Sequence, residues 1–180
     1  MMDETIVEEN IFKALLNLQK NKLYVGQHEN VINDGFRDML SMVFECSDQT
    51  RQGISENELD SGMVDILIKH SGLPVSIIES VRLKGLEKES IIRHINKLLT
   101  KYDDNGCLLS NLVIYAMMAD FSSFWDKLSS FLQNFDYPFE IVKPFVNIDT
   151  CLAESRHGIV ILRRQSYDIS FHIFAVHMRE

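Results

Sequence analysis

Two acidic side chains interrupt the apolar runs of the segment GMVDILIKHSGLPVSIIESVRLK, residues 62–84. Asp65 lies in the first run and Glu79 lies in the second. A carboxylate inside a strand-like run is costly to remove from water unless another group pairs with it or binds to it. The two acids therefore indicate either structural pairing or a shared binding site.

Structural pairing accounts for each acid taken singly. Asp65 can accept hydrogen bonds from backbone amides near a turn, and Glu79 can pair with Arg82 or Arg37 at a sheet edge. A single acid in a strand more often has such a role than a role as a ligand. These alternatives stay open at the level of the sequence.

The strands that carry the two acids are short and β-branched. Residues 63–70 and 75–83 are predicted as strands joined by the turn SGLP, which makes a hairpin. A buried-type strand is predicted over 108–118, and two more strands lie within 158–178. Residues 139–148 are expected to be extended, and Pro144 would keep them at a sheet edge.

Four segments have apolar residues at helical spacing, and Asp120 is the expected N-cap of the last one. The segments are 5–19, 28–46, 87–102 and 120–135. Helices alternating with strands in this order predict a mixed sheet with helices packed on it, an α/β or α+β fold.

The composition is that of a single globular domain over residues 1–180. Apolar residues make up 46% of the chain and charged residues 24%. No uninterrupted apolar stretch is long enough for a membrane span, and the acidic start is unlike a secretory signal. We therefore expect a cytoplasmic protein whose three separated cysteines are reduced and hold no zinc.

The net charge of −8 disfavours tight autonomous binding of nucleic acid, because phosphate neutralisation supplies most of that affinity. It favours a protein partner or a homo-oligomer instead. Nucleic acid would need a local basic cluster, for which the candidates are Arg82, Lys84, Lys88, Arg93, Lys97 and Lys101. The acids are spread along the chain, which disfavours an acidic decoy of nucleic acid.

The order helix, three-strand meander, helix, strand over residues 28–117 resembles the core of the PD-(D/E)XK, or restriction-endonuclease-like, superfamily. In that family an Asp ends or interrupts the second strand and (D/E)-x-K follows in the third, where this chain has Asp65 and Glu79. Residues 1–27 would add an N-terminal helix, and residues 118–180 a helix and a C-terminal β-hairpin.

The resemblance implies that Asp65 and Glu79 bind Mg²⁺, which would polarise a phosphodiester and generate the attacking hydroxide. The family lysine should follow Glu79 by two residues, on the same strand face. That position is Val81, so the lysine is absent. Arg82 points to the other face and stays protonated, so it cannot act as a base.

His94 is the best placed substitute, because it lies between Ile91 and Leu98 on the apolar stripe of the covering helix. By pattern alone, a histidine there is more often a core residue. Lys88 and Lys97 are weaker candidates, and Lys97 is expected to face water.

The family often adds an acid from the early helix, and Glu29, Asp34 and Asp38 all qualify. His172 and His177 are five residues apart on one predicted strand, so they face opposite sides and form no metal pair.

The segments DQTRQG, HINKLLTKYDDNG and LVIYAMMADFSSFW further resemble degenerate restriction-like proteins of bacterial antiviral defence. This resemblance implies a subunit of a defence or DNA-processing complex with weak or absent Mg²⁺-dependent nuclease activity. The alternative is a non-catalytic interaction module that recruits or regulates a partner ATPase or nuclease. In that alternative the apolar hairpin residues 169–178 would extend a partner's sheet.

Overall fold

The computed structural model describes residues 3–47, 65–103 and 106–179. Within these residues the chain forms four α-helices, one short 3₁₀ turn and seven strands. The helices are α1 Glu4–Lys20, α2 Glu29–Ser41, α3 Lys88–Thr100 and α4 Phe121–Gln133. The strands are β1 Glu45–Ser47, β2 Ile66–His70, β3 Leu73–Leu83, β4 Leu109–Ala116, β5 Glu140–Ile148, β6 Ser155–Arg164 and β7 Tyr167–His177.

The seven strands form one mixed sheet in the order β1-β2-β3-β4-β7-β6-β5. β3, β4 and β7 run parallel at its centre, and the remaining neighbours pair antiparallel. Because β3 connects to β4 through α3, this parallel pair has the helical crossover that parallel strands need. The fold is therefore the mixed α/β arrangement expected from the alternation of elements.

Helices cover both faces of the sheet, so its central strands are buried on both sides. α3 and α4 pack on one face, where residues such as Ile95 and Trp125 meet Ile77 and Leu112. α1 and α2 pack on the other face. All eight residues of β4 are buried, the polar Ser110 and Asn111 included, as expected for a central strand covered on both faces.

Side-chain alternation along β3 assigns each residue to one of the two faces. Ile77 and Val81 belong to the core under α3 and α4, whereas Ile78 belongs to the core under α1 and α2. Odd-numbered residues of this stretch thus point toward α3. Glu79 lies on that face.

The prediction of one helix over 28–46 is wrong at its C-terminal end. α2 ends at Ser41, and Glu45 and Cys46 belong to β1, where they pair with Lys69 and Ile68 of β2. The apolar spacing continues past the helix because Phe44 is also buried. Pairing with a distant strand, which local spacing does not report, decides the boundary. The segment DQTRQG lies outside the described residues.

The two C-terminal strands form the expected hairpin, but they do not offer a free edge. β7 is hydrogen-bonded to β4 on one side and to β6 on the other. The prediction that residues 169–178 extend a partner's sheet is therefore wrong. The free edge on this side belongs to β5, which carries Pro144 as expected.

Among the described residues, no helix is both long enough and apolar enough to cross a membrane.

Phe145 attaches β5 to the core by lying over Gly158 of β6. It is the one buried residue of β5, and a Cβ on Gly158 would come within 2.3 Å of its ring. We expect Gly158→Ala to displace this ring and lower the free energy of unfolding by about 1–3 kcal/mol in urea denaturation. Gly85→Ala is the matched control, because a Cβ there meets nothing within 4 Å. An equal effect of both substitutions would contradict this account.

Candidate acidic site at the start of strand β2

Among the described residues, β3 extends beyond its antiparallel partner β2. β2 begins at Ile66, which pairs with Ile78. Within the described residues, positions 79–83 of β3 have no hydrogen-bonded strand on the β2 side. Their amides on that side need other acceptors if they are to leave water.

Two carboxylates supply these acceptors. The amide of Ser80 donates to Oδ2 of Asp65 at 2.7 Å, and the amide of Arg82 donates to Oε2 of Glu29 at 2.7 Å. Asp65 directly precedes β2, and Glu29 is the first residue of α2. The structural role that the sequence left open for Asp65, accepting from a backbone amide, is thus present.

Glu79 is the most deeply buried acid of the group, with 5% of its surface exposed. Its Oε1 lies 2.8 Å from Nδ1 of His94 on α3. Its Oε2 is buried and has no hydrogen-bond partner among the described residues. The alternative pairing of Glu79 with Arg82 or Arg37 is not observed. An orphan buried carboxylate oxygen is costly, and it marks a position that suits a further ligand.

Asp65 and Glu79 lie on the same face of the sheet. Continuing the β2–β3 register by one residue from the pair Ile66 and Ile78 places Asp65 opposite Glu79. Leu67 belongs to the core under α3, so alternation puts Asp65 on that face as well. The structure therefore brings the two predicted acids together across neighbouring strands.

Burial and mutual repulsion raise the pKa of both carboxyls. For Asp65 the largest cause is desolvation, followed by the negative charge of Glu79 and, more weakly, that of Glu29. For Glu79 it is again desolvation, opposed by Lys97 and reinforced by Glu29. Three acids thus share one low-dielectric site, a condition that a bound cation relieves.

His94 and Lys97 face this site from one side of α3. The pair His94–Glu79 is nearly buried, with exposed side-chain fractions of 14% and 6%. Burial lowers the pKa of His94, which favours its neutral form. The pattern-based preference for a core histidine missed this partner.

Lys97 departs from the expectation that it faces water. It is only half-exposed, and its charge is the strongest influence that lowers the pKa of Glu79. It lies one turn after His94, so the two side chains share a face of α3.

The other candidates lie away from the acids. Val81 is buried in the apolar core, so no polar group replaces the lysine at that position. Asp34 and Asp38 are exposed and pair with Arg37 on the surface of α2. Of the three acids proposed from the early helix, Glu29 is the one beside Asp65 and Glu79.

The donors fit Mg²⁺ as a hydrated ion rather than a fully caged one. Carboxylate oxygens are its preferred ligands, and Oε2 of Glu79 lacks a partner. Within the described ranges, no three ligand atoms of the acidic site lie within 4.8 Å of one another. An octahedral shell needs neighbouring ligands closer than that, so at most two protein ligands reach one ion. Magnesium commonly binds through one or two carboxylates and retains several waters.

A second cluster of titratable residues matches no motif in the sequence. Glu8, His157 and His172 bring ligand atoms within 4.8 Å of one another on the face covered by α1. His172 and His177 do point to opposite faces, as predicted, and His177 stacks on Phe121 of α4. The partner of His172 comes from the neighbouring strand β6, and a strand register is needed to find it.

Comparison of the chain with family models, with curated proteins and with solved structures gives no match.

The raised pKa values predict that the metal-free protein loses stability as the pH rises. Burial raises the pKa of Asp65 to about 7 and that of Glu79 to about 8. The folded state then holds more protons than the unfolded state, so the free energy of unfolding falls with pH up to these values. We expect a fall of about 1–3 kcal/mol between pH 6.5 and 8.5 in urea denaturation with EDTA.

The interval above pH 6.5 isolates the carboxyls. Burial lowers the pKa of His94 and His157. Their titration therefore changes the free energy of unfolding mainly below the ordinary histidine pKa of about 6.5. Glu79→Gln should remove most of the fall, and Glu9→Gln on the exposed face of α1 should not. A flat or rising profile for the unsubstituted chain would contradict the burial of these acids.

Proposed function

We propose that this chain is a restriction-endonuclease-like domain of the PD-(D/E)XK superfamily that lacks the motif lysine. It acts in the bacterial cytoplasm as a subunit of an antiviral defence or DNA-processing complex, with weak Mg²⁺-dependent phosphodiesterase activity. The observation that carries this proposal is the meeting of Asp65, Glu79 and Glu29 at one end of β3.

The order of elements around the acids supports the proposal. α2 precedes the antiparallel meander β1-β2-β3, α3 follows, and β4 returns parallel to β3. This is the helix, three-strand meander, helix and strand that the resemblance implies. Glu79 lies within β3, as the family acid of the third strand would, whereas Asp65 directly precedes β2 and does not end or interrupt that strand.

The hydrogen bonds leave one oxygen of each strand acid for an ion. The Ser80 amide holds Oδ2 of Asp65, and His94 holds Oε1 of Glu79, so Oδ1 and Oε2 are the oxygens that would bind Mg²⁺. When bound, the ion would polarise a phosphodiester and activate a water. Glu29 accepts from the Arg82 amide and adds negative charge to the site without being needed as a third ligand.

Lys97 supplies the positive charge that Val81 cannot. It lies on α3 one turn after His94, and its charge lowers the pKa of Glu79. A lysine beside the metal-binding carboxylates stabilises charge that develops on a phosphate in the transition state. We assign this role to Lys97 and assign His94 the positioning of Glu79. The longer reach from a helix is consistent with weak activity.

Basic residues around α3 offer a local surface for nucleic acid despite the net charge of −8. Lys84, Lys88, Arg93 and Lys101 are exposed on α3 and on the turn before it. Few phosphate contacts give only modest affinity, which falls steeply with salt. A partner subunit would therefore supply most of the binding to nucleic acid.

Metal binding and cleavage test the role of the two strand acids. We expect Mn²⁺ or Mg²⁺ to bind at one site in calorimetric titration and to support slow cleavage of DNA or RNA. Asp65→Ala should weaken Mn²⁺ binding and reduce the cleavage rate more than about 100-fold, since it removes one of only two protein ligands. Asp126→Ala, an exposed acid on α4, is the matched control and should retain both. Cleavage that survives Asp65→Ala would remove Asp65 from the mechanism.

Lys97→Met tests the relocated lysine separately from the metal. We expect Mn²⁺ binding within about threefold of the unsubstituted chain and a cleavage rate lowered by about 100-fold, because Lys97 acts on the phosphate rather than on the ion. Lys20→Met, at the exposed end of α1 on the opposite face of the sheet, is the matched control and should cleave normally. Equal losses in both variants would instead indicate a general effect of positive charge on substrate binding.

A non-catalytic interaction module is the second candidate, and the exposure of β5 favours it. This edge strand exposes Ile141, Val142, Val146 and Ile148, and only Phe145 is buried. An apolar edge strand is a template for a strand from another protein. The same titration separates the two functions. Absence of heat with Mn²⁺, together with uncleaved nucleic acid, would favour a module that regulates a partner ATPase or nuclease.

A further inference from the structure

A second polar cluster lies on the opposite face of the sheet from the acidic site. His157 of β6 and His172 of β7 are almost completely buried, at 4% and 1% exposure. His172 pairs with Ile159 in the antiparallel register. His157 precedes Ile159 by two residues on β6, so its side chain lies on the same face of the sheet. Glu4 and Glu8 approach them from the first two turns of α1, which crosses these strands.

The four side chains form a continuous chain of close contacts. Nδ1 of His157 lies 3.5 Å from Oε1 of Glu8, and Nε2 of His172 lies 3.4 Å from Oε1 of Glu4. Between them, Nε2 of His157 lies 2.9 Å from Nδ1 of His172. All four imidazole nitrogens therefore face a polar partner inside the chain.

Proton counting shows which nitrogen two neutral imidazoles leave unpaired. Each neutral ring carries one N–H group, so the pair supplies two donors. These two donors satisfy the hydrogen bonds of His157 with His172 and of His172 with Glu4. Nδ1 of His157 then carries a lone pair and faces Oε1 of Glu8 at 3.5 Å, so two acceptors point at each other. A cation bound at this position would remove the repulsion.

We propose that Glu8, His157 and His172 form a binding site for one Zn²⁺ ion. Two imidazoles and one carboxylate are a donor set that holds zinc and leaves a fourth position open. Their ligand atoms already lie within 4.8 Å of one another, whereas ligands at zinc distances of about 2.0–2.2 Å lie roughly 3.3 Å apart in a tetrahedron. Small side-chain rotations close this difference.

The surroundings suit a fixed metal site that stays accessible. Phe174 stacks on the ring of His157 at a centroid distance of 4.3 Å and holds its orientation. Burial lowers the pKa of His157 to about 3, so its ring is in the neutral form that binds metals. Glu8 and Glu4 are partly exposed, with side-chain fractions of 33% and 48%, which gives an ion a route from solvent. Glu4 can occupy the fourth position or leave it to water.

Zinc titration of the chelator-stripped full chain tests this proposal. In competition with a chromophoric chelator, we expect one Zn²⁺ per chain with submicromolar affinity. Glu8→Gln should weaken the affinity at least about 10-fold and His172→Gln about 100-fold or more. His70→Gln, an exposed histidine at the end of β2, is the matched control and should bind as before. Asp65→Ala should also retain the zinc site, because Asp65 lies on the other face.

A cobalt spectrum keeps the test decisive if His172→Gln fails to fold. Co²⁺ in a site with nitrogen and carboxylate ligands at low coordination gives intense visible bands, and Glu8→Gln should shift or weaken them. A folded chain that binds no Zn²⁺ would overturn the proposal. Zinc affinity that is unchanged in Glu8→Gln and His172→Gln, or lost in Asp65→Ala, would overturn it as well.

Discussion

The acidic site depends on β3 being longer than the strand that pairs with it. Beyond the described pairing of β2 with β3, the amides of Ser80 and Arg82 donate to the carboxylates of Asp65 and Glu29. These bonds fix two negative charges at the edge of a buried strand that already carries Glu79. The same backbone constraint thus fills a structural need and concentrates the charge that a cation would neutralise.

The sheet keeps this charge separate from a second polar cluster. Alternation along β3 directs Glu79 toward α3, whereas alternation along β7 directs His172 toward α1. Each helix brings polar side chains at one-turn spacing to its own face: His94 and Lys97 on α3, and Glu4 and Glu8 on α1. Apolar residues fill the cores between and around these clusters. Two chemically different sites can therefore exist in one small sheet without sharing a side chain.

The sequence predicted the features that depend on local periodicity. The helices at α1, α3 and α4, the hairpin of β2 and β3, and the N-cap at Asp120, whose side chain accepts from the Ser123 amide at 3.0 Å, agree with the expectations. The meeting of Asp65 with Glu79 was expected from the family resemblance, which places the two acids on adjacent strands joined by a short turn. The sequence could not select Glu29 over Asp34 and Asp38, because that selection depends on which end of α2 lies beside β3.

Contacts between distant segments account for the features that were missed. The boundary between α2 and β1 is set by pairing with β2, and the burial of β7 by its pairing with β4. His157 belongs to no recognisable sequence motif, because its partner His172 is 15 residues away and its partner Glu8 lies in α1. A histidine on an apolar strand looks like a core residue until the register shows which polar group faces it.

The packing of β3 leaves no room for a lysine at position 81, where the proposed family would place one. Val81 lies on the same face as Glu79, yet it is only 3% exposed and contributes to the core beneath α3 and α4. A lysine there would have to place its ammonium among apolar side chains or displace them, at a cost of several kcal/mol for the unpaired charge. On α3, Lys97 stays half-exposed and still acts on Glu79. A helix position therefore provides positive charge to the acids without desolvating it, which makes Val81 compatible with the proposed function.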